Sequence, residues 1–132
     1  MRNTTTLFDT KEHHIHVPFS LVSSSGKTEN PFGILDTGAP RTEFSDAFLV
    51  HMGFIKVPNF QIRIKEGLQT QKYGKIILPS LVICGHTIQN FEVLVSRFDK
   101  SWGIAALVGL DFFKRFRVTV DYKAGHLVTE PL

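Results

Sequence analysis

Apolar and polar residues alternate with a period of two through much of the chain, a pattern that predicts strands rather than long helices. From His13 to Val22, Ile15, Val17, Phe19 and Leu21 fall on one face, while His14, His16, Pro18 and Ser20 take the other. Ser23 to Lys27 is a turn cluster, and a strand from Pro31 to Leu35 ends abruptly at Asp36. Ser45 to Gly53 reads as a short helix, with Ser45 as N-cap and Gly53 as the stop. Asn59 to Lys65 alternates again and leads into a polar hairpin tip, Glu66-Gly67-Leu68-Gln69, with the return through Tyr73 and Gly74 to Leu78. Ser80 to Cys84 and Ile88 to Val95 form a further strand pair about a turn at Gly85-His86, and Asp99 to Gly103 is a loop. A second short helix runs from Leu110 to Arg115. Phe116 to Tyr122 and His126 to Thr129 then close a hairpin. Short strands, regular turn signals and two short helices predict a mostly-β small barrel or sandwich, with no repeat at a fixed period.

Length and composition narrow the classes. At 132 residues the chain implies one domain, taken as residues 13–132 after an N-terminal segment, 1–12. Hydrophobic residues at 42% and charged residues at 20% are globular values and exclude wholesale disorder. A formal charge of +3 is spread along the sequence. Its densest group is Lys114, Arg115 and Arg117, too short a stripe for a nucleic-acid partner. The first ten residues carry no apolar run, so they do not read as a signal peptide, and the longest apolar stretch, Ile104 to Val108, is far below a membrane span. The single cysteine, Cys84, fits a reducing cytoplasm and rules out an intrachain disulfide framework. A domain cut from a longer, membrane-anchored protein stays compatible with all of this.

The chemistry concentrates in Ile34-Leu35-Asp36-Thr37-Gly38-Ala39. An apolar strand delivers a carboxylate, a hydroxyl and a glycine into a sharp turn. Gly38 allows close backbone approach, and the Thr37 hydroxyl can tie the turn. Taken alone, the triplet is also an ordinary Asp-Thr-Gly turn. His13, His14 and His16 invite a metal reading, but no third or fourth ligand is placed near them by local spacing, so a solvated strand edge is expected and no metal or cofactor is assigned. Cys84 lies on an apolar strand without a nucleophile motif and reads as core. Trp102 reads equally as a surface contact or a pocket wall.

The Asp36-Thr37-Gly38-Ala39 loop, Thr42 and Ser45 beyond it, and the distal Leu107-Val108-Gly109 together resemble the retropepsin-like aspartic proteases. The likeness is greatest to bacterial single-domain members, whose C-terminal half is similar to Gly109-Leu110-Asp111-Phe112-Phe113 and the Arg115 to Val128 hairpin. It covers about His14 to Pro131. The resemblance implies a small closed acid-protease-like barrel with one lobe per chain, and an aspartic endopeptidase acting on extended peptides. Asp36 would be the catalytic carboxylate, supported by Thr37, Gly38 and Ala39. A flap and substrate-binding hairpin would include Glu66, Gly67, Leu68, Gln69 and Tyr73. The flap tip departs from the glycine-rich retroviral pattern, and Pro40 replaces a small polar residue after Ala39.

Such enzymes use two carboxylates that share a proton and hold a water. At ~3 Å both cannot ionise easily, so their titration belongs to the pair. Of the chain's acidic residues only Asp36 sits in the triplet; Asp9-Thr10 is followed by Lys11, and Asp111 falls in a helix where a capping or structural role is expected. One Asp is half a dyad, so the resemblance implies a homodimer about a two-fold axis. For its interface, the polar first dozen residues argue against an N-terminal strand, and His126 to Thr129 is the expected pairing strand. The alternative is a retropepsin-like module that binds peptide or dimerises but cleaves poorly.

Overall fold

The computed structural model describes residues 2–56 and 71–132. Its strands are β1 (Thr4–Leu7), β2 (His16–Val22), β3 (Thr28–Glu29), β4 (Phe32–Leu35), β5 (Glu43–Ser45), β6 (Gln71–Ile83), β7 (His86–Arg97), β8 (Ala106–Val108), β9 (Phe116–Asp121) and β10 (His126–Pro131). Two short helices, α1 (Asp46–His51) and α2 (Leu110–Phe113), and a 3₁₀ turn at Lys100–Trp102 complete it. Strands β2, β4, β8, β5, β7 and β6 pair in that order, and β6 returns to β2, which closes a barrel. The expected mostly-β barrel with two short helices is therefore present. Among the described residues no helix is long and apolar enough to cross a membrane.

Period-two alternation produces the core. Val17, Phe19 and Leu21 of β2 point inward against Phe44, Phe91, Val93 and Val95. Phe19 meets Phe44 edge-on at 5.4 Å between centroids, within the range aromatic pairs favour. Helix α1 begins as expected, with the Ser45 hydroxyl accepting from the Phe48 N–H, and stops at Gly53.

Four expectations shift. Strand β2 starts at His16 rather than at the expected His13, because Asp9 folds the preceding segment into a turn by accepting from the Lys11 N–H; His13 and His14 stay exposed outside the strand. Strand β6 runs unbroken through Pro79. Its flanking rungs are Leu78 to Phe91 and Ser80 to Gln89, and Asn90 between those partners takes a left-handed φ of 51°. The β6–β7 turn is Cys84-Gly85, not Gly85-His86. Both residues have positive φ, 51° and 80°, the combination a two-residue hairpin of type I′ requires. Burial pushes the thiol of Cys84 up to about 11, so it is an inert core group.

The fourth shift concerns the termini. Thr4–Leu7 forms a strand that pairs with β10, whose other edge pairs with β9, giving a three-stranded sheet β1-β10-β9. His126–Thr129 is thus hydrogen-bonded along both edges within its own chain and has none left for a partner.

Polar contacts latch β1 down. The Thr4 hydroxyl donates to the Cys84 carbonyl at 2.8 Å and lies 2.6 Å from the Thr129 hydroxyl, which is 2.8 Å from Nε2 of buried His86. Thr4 has one hydroxyl proton, already committed, so Thr129 must donate to Thr4, and the network assigns a proton to His86 Nε2. The ring stacks near Phe116, centroids 4.3 Å apart.

Burial holds His86 below its ordinary 6.5, with the N-terminal amine and Arg2 adding to the effect. The unfolded chain therefore takes up the proton first as pH falls, and the stability that neutral His86 contributes is complete above 6.5 and lost below it. Thermal melts should show wild type losing stability between about pH 7.5 and about pH 5.5, with a smaller loss in His86→Gln, which retains a donor but does not titrate.

Candidate active site

Asp36 stands at the end of the barrel's interior parallel pair. Strand β4 runs beside β8 in the register Ile34 to Leu107 and Leu35 to Val108, and the Asp36 N–H donates to the Val108 carbonyl at 2.9 Å. The chain then reverses: the Ala39 N–H donates to the Asp36 carbonyl at 3.1 Å, and the Gly38 N–H donates to Asp36 Oδ1 at 3.2 Å. A Cβ on residue 38 would lie 3.3 Å from that oxygen, so glycine serves close approach here. Asp36 is half-buried, and Thr37 and Gly38 are exposed.

The loop's exit is bound to the start of α2. Leu110 N–H donates to the Ala39 carbonyl at 2.9 Å and Asp111 N–H to that of Pro40 at 3.2 Å. Gly109 lies directly beneath: an added Cβ would sit 2.7 Å from the Ala39 oxygen and 2.8 Å from the Arg41 carbonyl carbon. Buried Thr42 completes the clamp. Its N–H and hydroxyl donate to the two carboxylate oxygens of Asp111 at 2.9 and 2.7 Å, and its oxygen accepts from the Gly109 N–H at 3.1 Å. Asp111 therefore has the structural role expected of it, although through Thr42 rather than as a helix cap.

Period-two alternation puts Asp36 on the side of Ile34. On that side Ile34, Phe98 and Leu107 form a second apolar cluster, separate from the main core, with Trp102 and Ile104 packed against it. Trp102 lies 5.4 Å from Phe98, which makes it part of this apolar wall. Its turn is capped by Asp99, whose carboxyl is held below its usual range by hydrogen bonds from Ser101.

Two buried carboxylates had no role assigned from sequence. Asp46, 1% exposed, accepts from Arg97 Nε at 2.7 Å, from the Tyr73 hydroxyl at 2.8 Å and from the Ala47 N–H. The bond to Asp46 raises the basicity of Arg97 further. Glu43, also buried, accepts from the Ser96 hydroxyl at 2.9 Å and lies 3.7 Å from Lys72 Nζ. Tyr73, expected in the flap, thus ties β6 to the start of α1. Glu66, Gly67, Leu68 and Gln69 lie outside the described residues. Nothing local in Glu43-Phe44-Ser45-Asp46 separates these buried acids from solvated ones; their basic and hydroxyl partners arrive from β6 and β7.

Solved structures share this fold. A retropepsin-like aspartic protease from Rickettsia conorii superposes with a TM-score of 0.65 at 18% identity, over 98% of this chain and 90% of that one. The chain has the retropepsin-like fold. The retroviral protease-like domain of Ddi1 from Leishmania major matches with a TM-score of 0.58 at 19% identity, over 92% of this chain and 96% of that one. No protein-family model and no curated protein sequence matches. The Asp36 loop and the Leu107-Val108-Gly109 segment, the two motifs that carry the resemblance, lie side by side in this fold.

Gly109→Ala forces a methyl group into the Ala39–Arg41 backbone and should destabilise the protein by about 1–3 kcal/mol. Thr42→Val removes one oxygen while leaving the Gly109 N–H without its acceptor, at a comparable cost of about 1–3 kcal/mol. Denaturant melts check both, with Ala39→Ser as the neutral comparison at the partly exposed rim.

Proposed function

We propose that the chain is an aspartic endopeptidase of retropepsin type, assembled as a homodimer with one Asp36 from each copy. The observation that carries this reading is the Asp36 loop itself: a half-buried carboxylate at the end of a core strand, with its turn closed by Gly38 and its exit clamped from α2. A loop held at so many backbone points fixes the carboxylate with little reorganisation, as positioned acid–base groups require.

In the proposed reaction a water lies between the two carboxylates. The ionised one takes a proton from the water as its oxygen attacks the scissile carbonyl carbon, and the protonated one donates to the carbonyl oxygen. The tetrahedral diol then collapses: the C–N bond breaks, the nitrogen receives a proton from a carboxyl group, and a hydroxyl proton returns to the dyad. The apolar wall of Ile34, Leu107, Phe98 and Trp102 supports an apolar side chain of an extended peptide beside the carboxylates.

Asp36→Asn should fold as wild type and lose about a hundred- to ten-thousand-fold in cleavage. The measurement is turnover of a peptide library from acidic to neutral pH, with circular dichroism on both proteins. Undiminished cleavage by Asp36→Asn would overturn the mechanism. Absence of cleavage in wild type with peptide binding retained would favour the binding or dimerisation module.

A further inference from the structure

The apolar wall beside Asp36 does not end the face it belongs to. Phe32 lies two residues before Ile34 on β4, so it points to the same side of the strand, ~6.6 Å further from Asp36. His16 pairs directly with Ile34 across the antiparallel β2–β4 register, which sets it on that side as well. The two rings meet edge-on, with centroids 6.4 Å apart and planes at 88°. Together with Gly103, Leu7 and Phe8 they line a cavity of about 530 Å³. Gly103 stands between Trp102 and Ile104, the residues packed on the wall, and a Cβ added to it would meet nothing within 4 Å. Cavity and wall are neighbouring parts of one open face.

The cavity differs from the wall in its chemistry. Phe32, 53% exposed, and Leu7, 71% exposed, give it apolar sides open to solvent. Its rim carries two carboxylates, Asp9 and Glu12, and Lys11 between them does not line it. Two bonds close the turn that holds them: the Lys11 N–H donates to Asp9 Oδ1 at 2.9 Å, and the Glu12 N–H donates to the Asp9 carbonyl at 3.3 Å. Apolar sides under an anionic rim match a side chain with a long apolar stem and a cationic end, the form of lysine and arginine. The Phe32 ring adds attraction for the cation.

We propose that this cavity selects a lysine or arginine of the substrate at the third position from the scissile bond. This rests on the reading of the chain as an aspartic endopeptidase and names a feature of the peptides it takes. Side chains on one side of an extended peptide recur every ~6.6 Å, the spacing between Ile34 and Phe32 along β4. A peptide along this face puts an apolar side chain on the wall beside the scissile bond and turns the following one away. The third then enters the cavity, with its stem against Phe32 and Leu7 and its cationic end at Asp9 and Glu12. A homodimer offers the cavity twice, once on each side of the scissile bond. Both carboxylates are exposed, so the selection is modest, and it acts on KM rather than kcat.

The test is a peptide series identical except at the third position on both sides of the scissile bond, which carries lysine, norleucine or glutamate. Norleucine keeps the apolar stem and drops the charge. Wild type should cleave the lysine peptide with a kcat/KM about three- to tenfold above that of the norleucine peptide, and the glutamate peptide slowest. In Asp9→Asn/Glu12→Gln the lysine-to-norleucine ratio should fall to about one. Asn at position 9 keeps an acceptor for the Lys11 N–H, so the turn is retained. Binding of the same peptides to Asp36→Asn, followed by fluorescence anisotropy, should show the same order without cleavage.

Equal cleavage of the lysine and norleucine peptides by wild type, or a preference that survives the double substitution, overturns the role of the cavity and leaves the enzymatic reading standing. No cleavage of any peptide, with a lysine preference in binding that the double substitution abolishes, supports the cavity and removes the enzyme. Neither cleavage nor binding overturns both.

Discussion

Backbone contact between Gly109 and the Ala39–Arg41 segment is the constraint on which the Asp36 loop depends. Two chain segments far apart in sequence approach so closely that a single methyl group would not fit between them. At that distance the Thr42 hydroxyl can bridge the Gly109 N–H and the Asp111 carboxylate, and α2 can offer its first N–H groups to the loop's carbonyls. Each bond is ordinary in strength, about 0.5–1.5 kcal/mol net, and more for those to the carboxylate. Their effect is geometric, because they all hold the Ala39–Thr42 segment by which the chain leaves the Asp36 turn.

A second set of contacts ties the long β6–β7 hairpin to the same floor. Asp46 holds Arg97 from β7 and Tyr73 from β6, and Glu43 holds Ser96 and Lys72. The buried Asp46–Arg97 pair adds little net stability once desolvation is counted, but removing Arg97 leaves a buried charge and costs several kcal/mol. These contacts act here as alignment points, since the two strands must keep one position relative to β5 and α1 for these bonds to form. The base of the hairpin is thereby referenced to residues four to ten positions beyond the Asp36 turn.

The barrel and the Asp36 segment were legible in sequence because both are local signals: alternation in β2 and β7, and a triplet at the end of an apolar strand. What was not legible depended on distant partners. Thr4–Leu7 is polar and buries only Thr6, so its stability comes from a ladder and a hydroxyl chain supplied by residues near positions 84–86 and 125–129. Pro79 looked like a break because its missing N–H matters only if a partner needs it, and Asn90 opposite turns away. Asp46 and Asp111 resemble any surface acid until Arg97, Tyr73 and Thr42 are placed beside them. His126–Thr129 resembles a free strand until both neighbours are known.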